Sequence, residues 1–459
     1  MTFDAPFREK MKVRPSKYSS LSGRITTLLL LCAVTSPAVF AFAVLLRRSL
    51  PVPYQDDYNA ILNFAIRYQE LPTRVGKMLY IATAQYNEYK LGFEHLVLVA
   101  ELSLTHHVNF AFLTAAGDLF LLPIGYLLWL TYREDQKSLN ERLLAFVPIS
   151  LLFFSLTYWE TLNWAMTSLQ QVPVVFFSLL SIYLLFEGRL PYISSARFGA
   201  ASLVAMLACW TSANGFVLLP VGLLILLPRR SHYRIGVWIA SFGPPLAAYL
   251  YRYQMVRLQQ PHRYAWHAFV SRPLEFFAFL GGVIPQRWIA ALVGLAILMA
   301  FRLAARSRFD RTNPVSFYST VWILGTGLMV AWRRGADFFF TASRYTMYSL
   351  LLLIFCYAFF SHRFQEGRRS TKRFYVISLA LSFIIFVSGI LLANRNLEAR
   401  RQIVFRGLEL YRSNPVTNAP WIDPWIEHLF PNERQQEKTA LTEAIQAGIY
   451  SLPLEDPAH

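Results

Sequence analysis

Charge is what this chain has least of. Only 15% of its 459 residues are Asp, Glu, Lys or Arg, against about 25% in an ordinary soluble domain. Hydrophobic residues make up 55%, and the mean hydropathy is +0.35, which excludes a conventional soluble globule. Cysteine is almost absent as well. Cys32, Cys209 and Cys356 lie far apart, each inside an apolar block, so they read as small packing residues rather than as disulfide partners or metal ligands. His106 and His107 are adjacent and lack the spacing of a metal-ligating pair. No zinc-finger spacing or other nucleic-acid motif accompanies the net charge of +17. The basic residues cluster beside apolar blocks, where Lys and Arg mark cytoplasmic loops and meet anionic headgroups. The partner implied is a lipid bilayer, and no nucleic acid.

What the chain has in abundance is apolar length. Blocks of roughly 17–25 residues give about eleven predicted spans, centred near residues 36, 120, 151, 180, 203, 222, 243, 295, 323, 353 and 384. The expected fold is therefore an all-α polytopic membrane protein. The first block, "ITTLLLLCAVTSPAVFAFAVLL", is longer than a usual signal-peptide core and lacks a convincing small-x-small cleavage site, so it reads as an uncleaved span. Five loops between successive span pairs are all basic: "TYREDQKSLNER", "EGRLPYISSAR", "PRRSHYR", "RLAARSRFDR" and "SHRFQEGRRSTKR". The positive-inside rule assigns them, with the basic N-terminus 1–25, to the cytoplasm. The expected membrane domain is then 26–393, with a long first external loop at 47–105. An extracytoplasmic tail at 394–459 has the length of a small lid or docking helix pair. Within the first loop, apolar positions recur at near-helical spacing with Tyr, Lys and Arg alongside, the pattern of helices lying in the membrane interface.

The candidate chemistry sits on the face opposite the basic loops. Asp56 and Asp57 follow the first span in "PVPYQDDYNAI", Glu88 follows in "QYNEYK", and Glu94 and His95 come shortly after. Arg333, Arg334 and Arg344 come from far along the chain, in "WRRGADFFFTASRY". Short non-cytoplasmic loops usually avoid Arg, so three of them ask for an anion, and the guanidinium fork fits phosphate. An acid beside such arginines at a membrane surface points to transfer of a group from a lipid phosphate to an alcohol. The carboxylate would act as general base, a role contributing about 10²–10⁴ in rate. Two adjacent carboxylates either repel, raising one pKa, or share a divalent cation such as magnesium or manganese. The sequence leaves both open and firmly implies no cofactor. Plainer readings stand beside these: Asp57 as a turn or helix cap, Glu88 paired with Lys90, and Arg344 snorkelling at a span end. A third stretch, "YWETLNWAMTSLQQ", combines Trp159, Glu160, Asn163, Trp164, Gln170 and Gln171. Aromatic faces with amide hydrogen-bonders are the chemistry of a sugar pocket.

Together these pieces resemble the C-class (GT-C fold) polytopic membrane glycosyltransferases, in particular bacterial relatives of the dolichyl- and polyprenyl-phosphate-sugar transferases. The resemblance rests on the acid pair after span one, "YNEYKLGFEHL", "YWETLNWAMTSLQQ" and "SRYTMYSLLLL", and covers about residues 25 to 393. Many relatives have His and Arg after the Asn-Glu pair; this chain has Tyr89 and Lys90, and Lys keeps the charge without the bidentate fork. The resemblance implies an inverting transferase of a bacterial inner membrane. It would use a polyprenyl-phosphate sugar donor, a first-loop Asp as base, and a hydroxyl acceptor on a glycan, lipid or protein. On this reading Asp56 is the base, Asp57 orients it and Glu88 assists. Arg344, Arg333, Arg334 and Lys90 would hold the donor phosphate, and Trp159, Glu160, Asn163 and Gln170 would contact substrate. The rival readings are a transporter or flippase for a lipid-linked sugar or other anion, and a polysaccharide polymerase or ligase.

Overall fold

The computed structural model describes residues 19–132, 138–186, 194–255, 265–334, 343–364, 368–413 and 431–453. Helix α1 (Ser19–Arg48) is the first apolar block. The chain then passes through a π-helical turn at Tyr58–Asn63 into α2 (Phe64–Glu70) and α3 (Arg74–Thr83). A two-stranded hairpin follows, in which β1 (Gln85–Tyr86) and β2 (Tyr89–Lys90) pair antiparallel with Gln85 opposite Lys90. Next come α4 (Gly92–Thr105), α5 (Phe110–Asp118), α6 (Leu121–Thr131), α7 (Leu139–Phe153) and α8 (Ala165–Leu184). The middle of the chain supplies α9 (Ser195–Thr211), α10 (Leu218–Leu226), α11 (His232–Ser241), α12 (Gly243–Leu250) and α13 (Ala265–Leu280). After these come α14 (Arg287–Arg306), α15 (Phe309–Thr312), α16 (Pro314–Arg334), α17 (Thr346–Phe364), α18 (Arg368–Ser413) and α19 (Pro431–Gln446). Local signals set several starts. Ser138 and Glu141 form a reciprocal capping box on α7, and Asn109 accepts the Phe112 N–H at 3.1 Å to open α5, each satisfying N–H groups the helix itself leaves open.

Among the described residues, seven helices are long and apolar enough to cross a membrane: Gly23–Arg48, Phe110–Thr131, Ala165–Leu184, Arg287–Arg306, Pro314–Arg333, Thr346–Phe364 and Lys372–Ser413. They contain the expected centres at 36, 120, 180, 295, 323, 353 and 384. The centres at 151, 203, 222 and 243 fall on α7, α9, α10 and α12, which have 15, 17, 9 and 8 residues. The chain is thus an all-α, membrane-embedded protein.

Helix α8 is the hub: most of it is buried, whereas α1 and α18 are largely exposed. The outer helices turn Leu29, Val39, Trp288, Leu292, Ile377 and Phe383 outward, where lipid tails can meet them. Gly117 lets α5 approach α8, since a Cβ there would collide with the Ser168 side chain and backbone.

Among the described residues, two large apolar cores dominate, with smaller clusters beside them. One runs through the bundle, with Ile124, Phe153, Val172, Ile182, Trp238, Trp322 and Tyr348. The other caps one end of it, joining Tyr58, Ile61, Leu91, Leu98, Trp164 and Leu169 to Tyr411, Leu441, Ile449 and Tyr450. The boundary expected at residue 394 lies in mid-helix, because α18 continues to Ser413. Beyond it the chain folds back: the Val108 N–H donates to the Ile449 carbonyl at 2.9 Å, and the Tyr450 hydroxyl donates to the Pro51 carbonyl at 3.0 Å.

Candidate functional site

The capped end gathers most of the candidate residues. Gln55 adopts a left-handed conformation (φ 48°), and beyond it the two neighbouring acids part company. Asp57 is 1% exposed. Its carboxylate accepts the Tyr54 N–H at 3.0 Å and the Met166 N–H at 2.9 Å. Met166 lies in the first turn of α8, where backbone N–H groups have no partner within the helix and favour negative charge. Asp57 therefore caps α8 from far away in sequence. Burial pushes its pKa up to about 7; the Met166 and Tyr54 N–H bonds pull downward, nearby Asp56 adds to the rise, and Arg400 opposes it. Asp56 is only half-buried and accepts the Tyr86 hydroxyl at 2.6 Å, a charge-assisted bond that keeps the hairpin beside it.

A third carboxyl belongs to this group. Glu94, in the first turn of α4, is 1% exposed, and among the described residues neither of its oxygens has a hydrogen-bond partner. Burial holds its pKa well above the usual range, with the charges of Asp57 and Asp56 adding to the rise. His95 beside it stacks on Phe64 with ring centres 3.8 Å apart and bonds through Nδ1 to the Ile81 carbonyl at 3.2 Å. Burial lowers its pKa to about 3, so the ring is neutral. Among the described residues no group of three or more His, Cys, Asp or Glu is arranged to hold a metal ion.

The cation at the acid pair comes from α18. Arg400 is 6% exposed. Its guanidinium lies 4.1 Å from the centre of the Tyr54 ring and 4.8 Å from that of Trp159, and its Nη1 donates to the Asn163 carbonyl at 2.9 Å. The Asn163 amide in turn donates to the Arg48 carbonyl at 3.0 Å, and Arg48 pairs with Glu398. Thr161 Oγ1 donates to the Arg344 carbonyl at 3.1 Å. One short segment, residues 159–166, thus joins the end of α1, the Asp57 carboxylate, the turn carrying Arg344, and α18. Glu160 begins the 3₁₀ turn Thr161–Asn163 within it.

The expected arginines separate. Arg344 sits in a 3₁₀ turn, Ser343–Tyr345, with its guanidinium 5.4 Å from the Tyr345 ring centre. Arg333 is exposed in the last turn of α16 and acts electrostatically on the Tyr249 phenol. The Tyr249 hydroxyl donates to the Glu88 carbonyl at 2.5 Å, so Glu88 and Arg333 belong to a second group around the hairpin tip. Arg334 is the last residue of α16. Lys90 is buried, and its ammonium donates to the Thr83 and Tyr251 carbonyls at 2.5 and 3.0 Å, tying the hairpin to the end of α12. Burial lowers its pKa. Gln170 is buried one turn into α8, its amide oxygen accepting from Gln171 at 3.3 Å.

Sequence reasoning gave no role to Arg400, Tyr54, Tyr86 or Glu94. Glu94 had a readable signal, a carboxylate inside the apolar run "LGFEHLVLVAEL". Arg400 had none, because it sits among other charges in "NRNLEARRQ".

In chemical terms the site pairs a half-exposed carboxylate, held by a phenol, with a buried carboxyl, held by backbone N–H groups. The Arg400 guanidinium and the backbone carbonyl of Arg344 are fastened to the same segment. No family model, curated protein or solved structure matches this chain.

Proposed function

We propose that the protein is a glycosyltransferase that takes a sugar from a polyprenyl-phosphate donor and passes it to a hydroxyl on a glycan, lipid or protein. In this reading the chain crosses a bacterial inner membrane about eleven times, with the N-terminus in the cytoplasm. The capped end, carrying Asp56, then faces the extracytoplasmic side.

One observation carries the reading. Asp57, hydrogen-bonded to Met166, and the turn of Arg344, hydrogen-bonded to Thr161, are fastened to the same few residues. A base and a phosphate-binding cation must stand within one substrate's reach for group transfer. Asp56 is the base, since its carboxylate is half-exposed, while Asp57 is occupied by backbone N–H groups and holds the turn. Arg344 binds the leaving phosphate, and Arg400 sets the field at Asp57. Trp159, Glu160 and Asn163 belong to the segment that frames the acceptor. Glu88, Arg333, Arg334 and Lys90 act through the hairpin and the loop around it.

The test is transfer from undecaprenyl-phosphate sugars by the purified protein in lipid nanodiscs. Asp56→Asn and Arg344→Ala, confirmed as folded, are expected to lose about 10²–10⁴ in rate. Full activity in both variants would sink the reading.

A second reading, transport of a lipid-linked sugar, is favoured by Asp118. This carboxyl is buried inside the span Phe110–Thr131 and accepts the Ser168 hydroxyl at 2.7 Å. Buried acids within spans mark pathways in transporters. Movement of lipid-linked sugar across vesicles that depends on Asp118, without any transfer chemistry, would decide for it.

A further inference from the structure

Polar side chains inside a membrane bundle are costly unless they are paired, and here four of them form a series with a direction. Asn214, in the 3₁₀ turn Ala213–Val217 between α9 and α10, donates from Nδ2 to the Tyr348 hydroxyl at 2.7 Å. Tyr348, on the first turn of α17, donates to Gln171 Oε1 at 2.9 Å. Gln171 Nε2 donates to Gln170 Oε1 at 3.3 Å. Every link runs the same way. The series therefore starts with a spare acceptor, Asn214 Oδ1, and ends with a spare donor, Gln170 Nε2. Both atoms are buried, and among the described residues neither has a hydrogen-bond partner. The Trp322 indole N–H donates to the Asn214 carbonyl at 3.2 Å, so the turn presenting the acceptor is held in place.

Two indole donors nearby in the chain are in the same condition. Trp164 Nε1 and Trp210 Nε1 are buried without partners among the described residues. Trp210 lies against Gly92, where an added Cβ would come within 3.0 Å of its ring, so the glycine admits the indole at the start of α4. The series also lies at the capped end of the bundle. Gln170 is one helical turn from Met166, whose N–H binds Asp57, and Tyr348 is four residues after Arg344.

The open atoms define their ligand. One end needs an acceptor and the other a donor, and the four side chains of the series carry no formal charge. A phosphate would satisfy only the donor end; a hydroxyl both donates and accepts. We infer that Gln170 and Asn214 bind hydroxyl groups of a neutral sugar, with Gln171 and Tyr348 as positioning residues that hold the two amides in orientation. The inference rests on the proposed transfer reading for the carrier of that sugar, a polyprenyl phosphate with its charged group at Arg344.

The experiment measures thermal stabilisation of the full chain in nanodiscs. Its probes are undecaprenyl phosphate alone and undecaprenyl phosphate carrying glucose, galactose, mannose, N-acetylglucosamine or arabinose. At least one glycolipid is expected to bind about tenfold more tightly than the bare lipid phosphate, the gain from paired rather than orphaned groups. Gln170→Leu and Asn214→Leu should reduce that glycolipid to the bare-lipid level and leave the bare lipid unchanged. Tyr348→Phe, which deletes one hydroxyl, should lose part of the same increment, and it carries the test if the leucine variants do not fold. The inference is overturned if no glycolipid outbinds the bare lipid. It is equally overturned if folded Gln170→Leu, or Tyr348→Phe in its place, keeps the full increment, which would leave the series to an internal water. Arg344→Ala should weaken bare and sugar-bearing lipids alike. If it changes neither, the phosphate reading fails while the hydroxyl site stands.

Discussion

The bundle and its cap are built on different physics. In the bundle, apolar side chains such as Val172, Ile182 and Trp322 fill the space between long helices, and close approach at Gly117 sets the distance between two of them. In the cap, polar bonds join segments that are remote in sequence. Asp57 reaches Met166 across 109 positions, Arg400 reaches Asn163 across 237, and Tyr450 reaches Pro51 across 399. Apolar packing tolerates exchange of one shape for another of similar volume, whereas a buried ion that loses its partner has no substitute. The cap is therefore where loss of a buried charge and change of pH act most directly.

Breaking the bundle should have the largest effect. Gly117→Leu places a side chain where the Ser168 backbone already lies, and the loss of stability is expected to exceed about 3 kcal/mol, with little monodisperse protein on size exclusion. A well-behaved variant would show that α5 can move away from α8 freely.

The cap is tested next by Arg400→Ala. It removes two ring contacts and the bond to the Asn163 carbonyl, together about 2–4 kcal/mol, readable as a lower thermal midpoint. Arg400→Lys should recover part of this, because it keeps a cation near the rings but loses the planar fork. An unchanged midpoint in both would mean that α18 does not hold the cap.

The smallest effect sharpens the contrast through pH. Asp57, Glu94 and Glu101 all have raised pKa values, the last pushed to about 7 by burial against the Asn109 N–H bond. A carboxyl whose folded pKa lies above its unfolded value holds its proton longer in the native state. Stability then falls as pH rises from about 4, and for Asp57 and Glu101 the fall is complete just above pH 7. Glu94, raised by burial in the same direction, adds to this loss. Glu94→Gln should therefore flatten the decline and raise stability at pH 8 by about 1–3 kcal/mol, measured by thermal unfolding from pH 5 to 8. A wild-type midpoint that rises across this range would contradict the buried-acid picture.

Much of the architecture was legible because its signals are local. The apolar block from Ile25 to Leu46 and the span ending near Phe364 announce helices by their own composition. Shorter helices such as α10 and α12 were harder: apolar residues continue through their breaks, and Pro and Gly divide what composition reads as one span. The acid pair was conspicuous at the end of α1, yet its two members look alike in sequence. Lys90 read as an available cation, and in the fold its ammonium is held by two carbonyls. Arg400 read as one charge among many in a polar tail, and it is the arginine stacked beside Asp57.

Sequence by itself determined that this protein is helical and membrane-embedded. A long apolar segment must satisfy its backbone hydrogen bonds internally, and a helix does so within the segment. It also determined that carboxylates would follow the first span. Only the tertiary structure decided their difference, with Asp57 drawn under the first turn of α8 and Asp56 left at the Tyr86 hydroxyl. Burial and charge partners depend on which distant segments meet. Residues 54, 57, 163, 166 and 400 meet only when α1, α8 and α18 have packed.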